Sequence, residues 1–213
     1  MKIGIIGASG KAGAEILKEA VARGHEVTAI VRDASKINEP KAKVVQKDVF
    51  ELTAQDVGAF EAVVNAFGAP FGQEHLHVEA GRALIAALQG APDTRVIVVG
   101  GAGSLFVDEA KTVRLIDTPE FPDIYKPTAS NQGKNLEDLR NSTGIKWTFL
   151  SPAAFFNPEG KRTGSYVTGQ DNLIVNSKGE SHVSYADYAI AVVDEIENAK
   201  HINSRFTVVS ESE

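Results

Sequence analysis

The sequence predicts an α/β fold: a doubly wound, mostly parallel sheet (the Rossmann arrangement), with helices on both faces and a small C-terminal region of substrate loops. Strand-patterned and helix-patterned segments alternate to about residue 100, which calls for parallel strands joined by right-handed crossovers. RVIVVGG (95–101) is a near-continuous apolar run, as a strand buried on both faces requires. A first apolar strand ends in glycines at 7, 10 and 13 and feeds straight into a helix pattern. All of 1–213 reads as one domain.

The elements follow in order. Ile3–Ile6 is the first strand. Helix 11–23 places Ile16, Leu17, Ala20 and Val21 on one side, the stripe of a sheet-covering helix, and Gly24 stops it. Strands follow at 25–32 and 43–49, then a short helical piece at 53–60 and a fourth strand at 61–68. Helix 74–89 carries Leu84, Ile85 and Leu88, and strand 95–101 follows. Residues 101–127 lack periodicity and contain Pro119, Pro122 and Pro127; loops of this length are usually functional. Helix 129–142 and strand 146–151 come next. Residues 152–183 are irregular and are expected to hold a small hairpin. Helix 184–198 and strand 205–209 complete the chain, with SESE as a frayed tail.

The 213 residues are 43% hydrophobic and 23% charged, ordinary globular values. The absence of cysteine removes thiolate nucleophiles and cysteine-based zinc sites. A net charge of −6 argues against a nucleic-acid-binding face. No apolar run approaches membrane-spanning length, and the chain enters a strand without a leader, so a soluble, cytoplasmic monomer or homodimer is expected.

A strand joined to a helix by a glycine-rich turn is a means of holding a pyrophosphate. Gly7 permits the sharp turn, Gly10 admits backbone N–H groups to the phosphates, and Gly13 lets the helix pack close. The spacing is GxxGxxG, not the standard GxGxxG. The Walker A pattern fails, because Ile5 stands where it needs glycine and Ala12 where it needs Ser or Thr. Ser9, Lys11 and Ala12 join the glycines as cofactor-binding candidates.

In such a sheet, ligands bind beyond the carboxyl ends of the strands. Strand two ends in Arg32-Asp33. An acid at the tip would accept the ribose 2′-hydroxyl of NAD, whereas Arg32 suits a 2′-phosphate, so NADP is expected, with NAD second. Lys36 is a possible assistant or simply exposed. Asp48 and Val49 fall where adenine would lie; Asp48 is equally suited to capping a turn. Ala66, Phe67 and Gly68 form the turn after strand four. Phe67, Phe71, Phe106, Phe121, Phe155 and Phe156 fall in loops at this rim, either as an aromatic pocket for a planar substrate or as anchors for long loops.

Taken together, GASGKAG (7–13), VRD (31–33), DV (48–49), SPAAFF (151–156), RTGSY (162–166) and SYADYAIAVVDEIE (184–197) resemble the atypical short-chain dehydrogenases close to NAD(P)H-flavin reductases and biliverdin-IXβ reductase, within the NmrA-like set. The resemblance spans essentially the whole chain. It implies NAD(P)H binding and reduction of flavins (FMN or FAD as substrate), quinones or similar small-molecule acceptors. It also implies that Pro152, Ala153 and Phe155 lie beside the nicotinamide.

The chain departs from ordinary short-chain dehydrogenases in lacking their YxxxK pair. Four residues beyond Tyr125, Tyr166, Tyr185 and Tyr188 stand Ala129, Gln170, Ala189 and Val192. The slot four before Lys134 holds Ser130. Alcohol–ketone chemistry is therefore disfavoured, as is epimerase chemistry, whereas flavin reduction needs little beyond stacked rings. Ser104 and Lys134 are the expected catalytic residues, hydrogen-bonding the acceptor or the nicotinamide ribose, with Tyr125 more remote. The alternative is a non-catalytic NAD(P)-binding redox sensor. His75 and His77 lack metal-ligand spacing and are expected at the surface; His25, His182 and His201 show no evident partner.

Overall fold

The computed structural model describes residues 1–213. Its elements are β1 (Lys2–Ile6), α1 (Lys11–Ala22), β2 (Glu26–Val31), β3 (Lys43–Gln46), α2 (Ala54–Gly58), β4 (Ala62–Asn65), α3 (Leu76–Gln89), β5 (Arg95–Val99), α4 (Lys126–Asn141), β6 (Lys146–Ser151), β7 (Phe155–Asn157), β8 (Val167–Gly169), β9 (His182–Ser184), α5 (Tyr185–Asn198) and β10 (Ser204–Val209). The main sheet has the order β3-β2-β1-β4-β5-β6-β10-β8. Every pairing in it is parallel except β8 against β10.

Alternation along the strands sorts side chains into two cores. Ile3, Ile5, Val64 and Ile97 pack with Ile16, Leu17 and Ala20 of α1 and with the apolar stripe of α5. Ile6, Val63, Val96 and Val98 pack on the other face with Leu84 and Leu88 of α3 and Leu136 and Leu139 of α4. Burying each such large aliphatic side chain contributes about 1.5–3 kcal/mol. β1 leads to β2 on one side while β4 lies on the other, so the order reverses between β1 and β4 and opens a crevice above their carboxyl ends.

Several boundaries differ from the sequence reading. β3 stops at Gln46 because Asp48 caps a 3-10 turn at Val49–Glu51. α4 begins at Lys126, with Pro127 in its first turn, where a missing N–H costs nothing. The expected hairpin within 152–183 does not form. β7 pairs in parallel with β9, Phe155 opposite His182, while β8 joins the main sheet.

The RTGSY stretch is a fastening. Arg162 Nη1 donates to Glu19 (2.5 Å), and Tyr166 Oη donates to Asp194 (2.6 Å). The fully buried Asp187 accepts from the Thr163 hydroxyl (2.8 Å) and from the Thr163 and Gly164 N–H groups (2.9 and 3.0 Å). The segment is thereby tied to α1 and α5. No helix is long and apolar enough to cross a membrane.

Candidate functional site

The first turn of α1 is shaped for an anion. Gly7 has φ +74°, and a Cβ there would stand 2.4 Å from the Ala66 carbonyl oxygen. A Cβ at Gly13 would stand 2.2 Å from the Gly7 carbonyl oxygen, so only glycine lets α1 lie this close to the turn. Gly10 is the N-cap, has no side-chain cap, and no acid occupies the first helical turn. The N–H groups of Lys11, Ala12 and Gly13 consequently have no protein acceptor. With the helix dipole behind them they offer a partial positive charge to the crevice.

The crevice has a volume of about 1510 Å³. One half is nucleotide-like in its chemistry. Arg32, Lys36 and Lys11 line it, and none of them forms an ion pair. Asp33, also on the wall, has one carboxylate oxygen engaged by the Ser35 hydroxyl (2.6 Å) and N–H (3.0 Å), and these bonds hold its pKa below the usual carboxylate value. Asp48 accepts from the Phe50 N–H (3.1 Å) and, with Glu51, closes a capping box. It lines the crevice as well, beside the buried Val49, so its capping and wall positions coexist.

Ala66, Phe67 and Gly68 form the wall above β4, where Asn65 Oδ1 accepts the Phe67 N–H (3.1 Å). His77 is not at the surface as expected. Its ring meets the edge of Phe67 at 5.7 Å, its Nε2 accepts the Ala69 N–H at 3.4 Å, and it lines the crevice. Burial lowers its pKa, which keeps the imidazole neutral and able to accept. His25, His182 and His201 also have partners: Glu197, Asn157 and Glu195, respectively.

The other half is aromatic. Pro152, Ala153, Phe155, Phe156 and Tyr185 form one wall, with Phe121 and Tyr125 also lining this half. Phe156 packs against Tyr185 (3.9 Å between centroids) and Tyr188 (4.7 Å). Tyr188 is fully buried and donates to the Leu150 carbonyl (2.7 Å). Thr128 and Gln132, one turn apart on α4, reach this half, and Gln132 Oε1 fills the space a Cβ at Gly101 would need. Thr128, Gln132 and Tyr185 make no side-chain hydrogen bond within the protein. Burial raises the Tyr185 phenol pKa, so it stays protonated at neutral pH.

The loop over this half is clamped from beneath. Arg205, its side chain 1% exposed, donates to Ser104 Oγ (2.9 Å), Ser151 Oγ (3.2 Å) and Asp171 (2.9 Å). Phe106 N–H donates to the Asp171 carbonyl (2.9 Å), and Phe106 bridges to Arg114 and Asn172. Ser104, Lys134 and Phe106 are therefore not on the crevice wall; Ser104 is engaged by Arg205 and Lys134 is exposed on α4. The fold brings every residue expected to contact the cofactor to this one crevice, together with Thr128, Gln132 and Tyr185, which were not among the expected site residues. The signals for those three were the i, i+4 spacing on α4 and a tyrosine directly after the Ser184 N-cap.

The model of the NAD(P)H-binding family matches residues 7–199. The uncharacterized protein YwnB of Bacillus subtilis is 72% identical over 213 residues, covering all of both chains. Among solved structures, SP1627 of Streptococcus pneumoniae TIGR4, provisionally described as an NADH-flavin reductase, is 46% identical with a TM-score of 0.93, over 99% of this chain and 100% of its own. A Bacteroides thetaiotaomicron protein provisionally described as an epimerase is 36% identical with a TM-score of 0.85, over 100% of this chain and 99% of its own. With its glycine turn, crevice and strand order, the chain belongs to the NAD(P)H-binding family.

Proposed function

We propose that this protein is an NAD(P)H-dependent reductase of a planar conjugated acceptor, a flavin or a quinone, and that NADP is its preferred nucleotide. The observation that carries this reading is the continuity of the crevice from unpaired cations, past the bare N-terminus of α1, to an aromatic wall. Its volume exceeds the ~300–1,000 Å³ usual for one small ligand, which suits a nucleotide and an acceptor together. When bound, reduced nicotinamide supplies a hydride (two electrons and one hydrogen) to the acceptor, whose second hydrogen comes as a proton from water.

The chain's own residues position and shelter. The first-turn N–H groups of α1 would hold the diphosphate, and Arg32, left free because Asp33 bonds Ser35, would meet a 2′-phosphate. The description of SP1627 names NADH; Arg32 is what favours NADP here. Phe155, Phe156 and Tyr185 would fix the plane of the acceptor and exclude water, so that proximity supplies most of the acceleration. Thr128, Gln132 and Tyr185 take the hydrogen-bonding roles expected of Ser104 and Lys134, because their polar groups are free and on the wall. The absent YxxxK pair weighs against epimerisation.

The test is a mixture of NADPH with FMN, riboflavin or a quinone, followed by the near-ultraviolet absorbance of the nucleotide. Consumption dependent on the acceptor is expected. Tight nucleotide binding without turnover over a broad acceptor panel would replace this reading with the redox sensor.

A further inference from the structure

The two halves of the crevice differ in charge. Its three basic wall residues, Lys11, Arg32 and Lys36, all lie on the nucleotide half. The acceptor half carries no Lys or Arg, and its one ionisable carboxylate, Glu120, makes no ion pair. Of the basic residues flanking Glu120 in sequence, Arg114 pairs with Asp117 (2.8 Å) and Lys126 with Asp123 (2.8 Å). The polar groups left free on this half, those of Thr128, Gln132 and Tyr185, are uncharged and suited to carbonyl oxygens and ring nitrogens.

Resting on the reductase reading, we infer that the acceptor is an uncharged planar conjugated carbonyl compound, and that Glu120 is a specificity residue that rejects phosphorylated ones. Glu120 is exposed at the mouth of this half, so a phosphate carried there would meet a carboxylate of like sign and no lining Lys or Arg to offset it. An aromatic carbonyl compound without charge would find stacking surface on Phe155, Phe156 and Tyr185 and three neutral partners. A simple quinone and an unphosphorylated isoalloxazine share this chemistry.

Riboflavin and FMN distinguish the proposal because they differ by one phosphate. In the presence of saturating NADP, their dissociation constants are measured by quenching of flavin fluorescence, at low and high salt, with menadione tested in parallel by NADPH turnover. Riboflavin is expected to bind roughly tenfold more tightly than FMN, with the gap narrowing as salt screens Glu120. Glu120→Lys is expected to close or reverse the gap by tightening FMN while leaving riboflavin within about twofold. Turnover of menadione with weak riboflavin binding assigns the simple quinone, and the converse assigns the flavin; either supports the proposal. Equal or tighter binding of FMN by the unaltered protein overturns it, as does failure of both riboflavin and menadione in a protein that binds NADP. Failure to bind NADP at all overturns the reductase reading instead.

Discussion

At the amino ends of the strands, charge is matched inside the protein. Arg95 donates to the Glu195 carboxylate, to the Glu195 carbonyl (2.9 Å) and to Thr148 Oγ1 (2.5 Å), and His201 closes on the same carboxylate (2.8 Å). Arg23 likewise gathers Glu19, Asp194 and Glu197 at 2.7–3.1 Å. At the carboxyl ends, polar groups on the crevice wall are left without partners: the first-turn N–H groups of α1, Arg32, Gln132 and Tyr185. The same sheet thus has one end where charges pair within the protein, although Arg95 Nε stays buried without a partner, and one end whose polar groups face an open crevice. Substitutions at the first should cost stability, and those at the second should cost binding.

The largest effect is expected at Glu195, whose side chain is 3% exposed. Glu195→Gln leaves the Arg95 guanidinium buried with no counter-charge, at a cost of about 3–5 kcal/mol. Urea unfolding measures the loss, and the fraction still folded should bind NADPH as before. The acid limb of stability adds a second reading of the same residue. Burial alone would raise the Glu195 pKa, but hydrogen bonds from His201 and Arg95, and the charge of Arg95, hold it below the usual carboxylate value. A depressed folded-state pKa contributes stability that is complete above the ordinary carboxylate pKa and is lost as pH falls through the folded value. The unaltered protein should therefore lose stability below about pH 4.5 with a slope that the Gln variant partly lacks. Identical slopes would remove Glu195 from the account.

Gly13→Ala blurs the contrast, because it strains the fold at the ligand end. Its Cβ meets backbone, the Gly7 carbonyl oxygen, which has no rotamer to move, so α1 must shift. A loss of about 1–3 kcal/mol in stability is expected from the overpacking. NADPH affinity should fall further than stability does, since the same shift displaces the first-turn N–H groups. Fluorescence titration of NADPH beside urea unfolding separates the two.

How much of this was legible in the sequence follows from the range of the interactions concerned. The glycine turn, Arg32, Asp48 and the turn at 66–68 were readable because chain order alone places strand tips at the crevice. The engagement of Ser104 is not legible, because its partner, Arg205, lies 101 residues away on a strand, and nothing near Ser104 announces that its hydroxyl accepts from it. The 152–183 hairpin failed for a related reason: periodicity marks a strand but is silent on whether β7 pairs with a neighbour in sequence or with β9. His77 reached the crevice because the loop at 66–72 folds back over α3, and a helix pattern carries no record of what a loop does. Tyr185 was visible as a residue of a shared motif. Its exposure to the crevice depends on the parallel β7–β9 pair that sets Phe156 beside it.

Arg32→Ala sharpens the contrast at the nucleotide half. A charge-assisted bond to phosphate is worth roughly ten- to a hundredfold in affinity. Isothermal titration should show that loss for NADP and little change for NAD, with unfolding midpoints unchanged because Arg32 has no protein partner. Equal affinity of the unaltered protein for the two nucleotides would end the case for a 2′-phosphate contact.

The smallest expected effect is at the acceptor half, where Tyr185→Phe removes a single hydroxyl. The ring stays against Phe156, so stacking and stability should hold. The hydroxyl makes no bond within the protein, so its removal leaves no orphan behind. What disappears is one neutral hydrogen bond to the acceptor, a few-fold to about tenfold in kcat/KM. The NADP dissociation constant should not move, because the anchors proposed for the nucleotide lie on α1 and beyond β2. A protein whose unfolding midpoint fell on this substitution would have been using the hydroxyl internally, and the division between a self-satisfied end and a ligand-facing end would fail at the residue where it is most finely drawn.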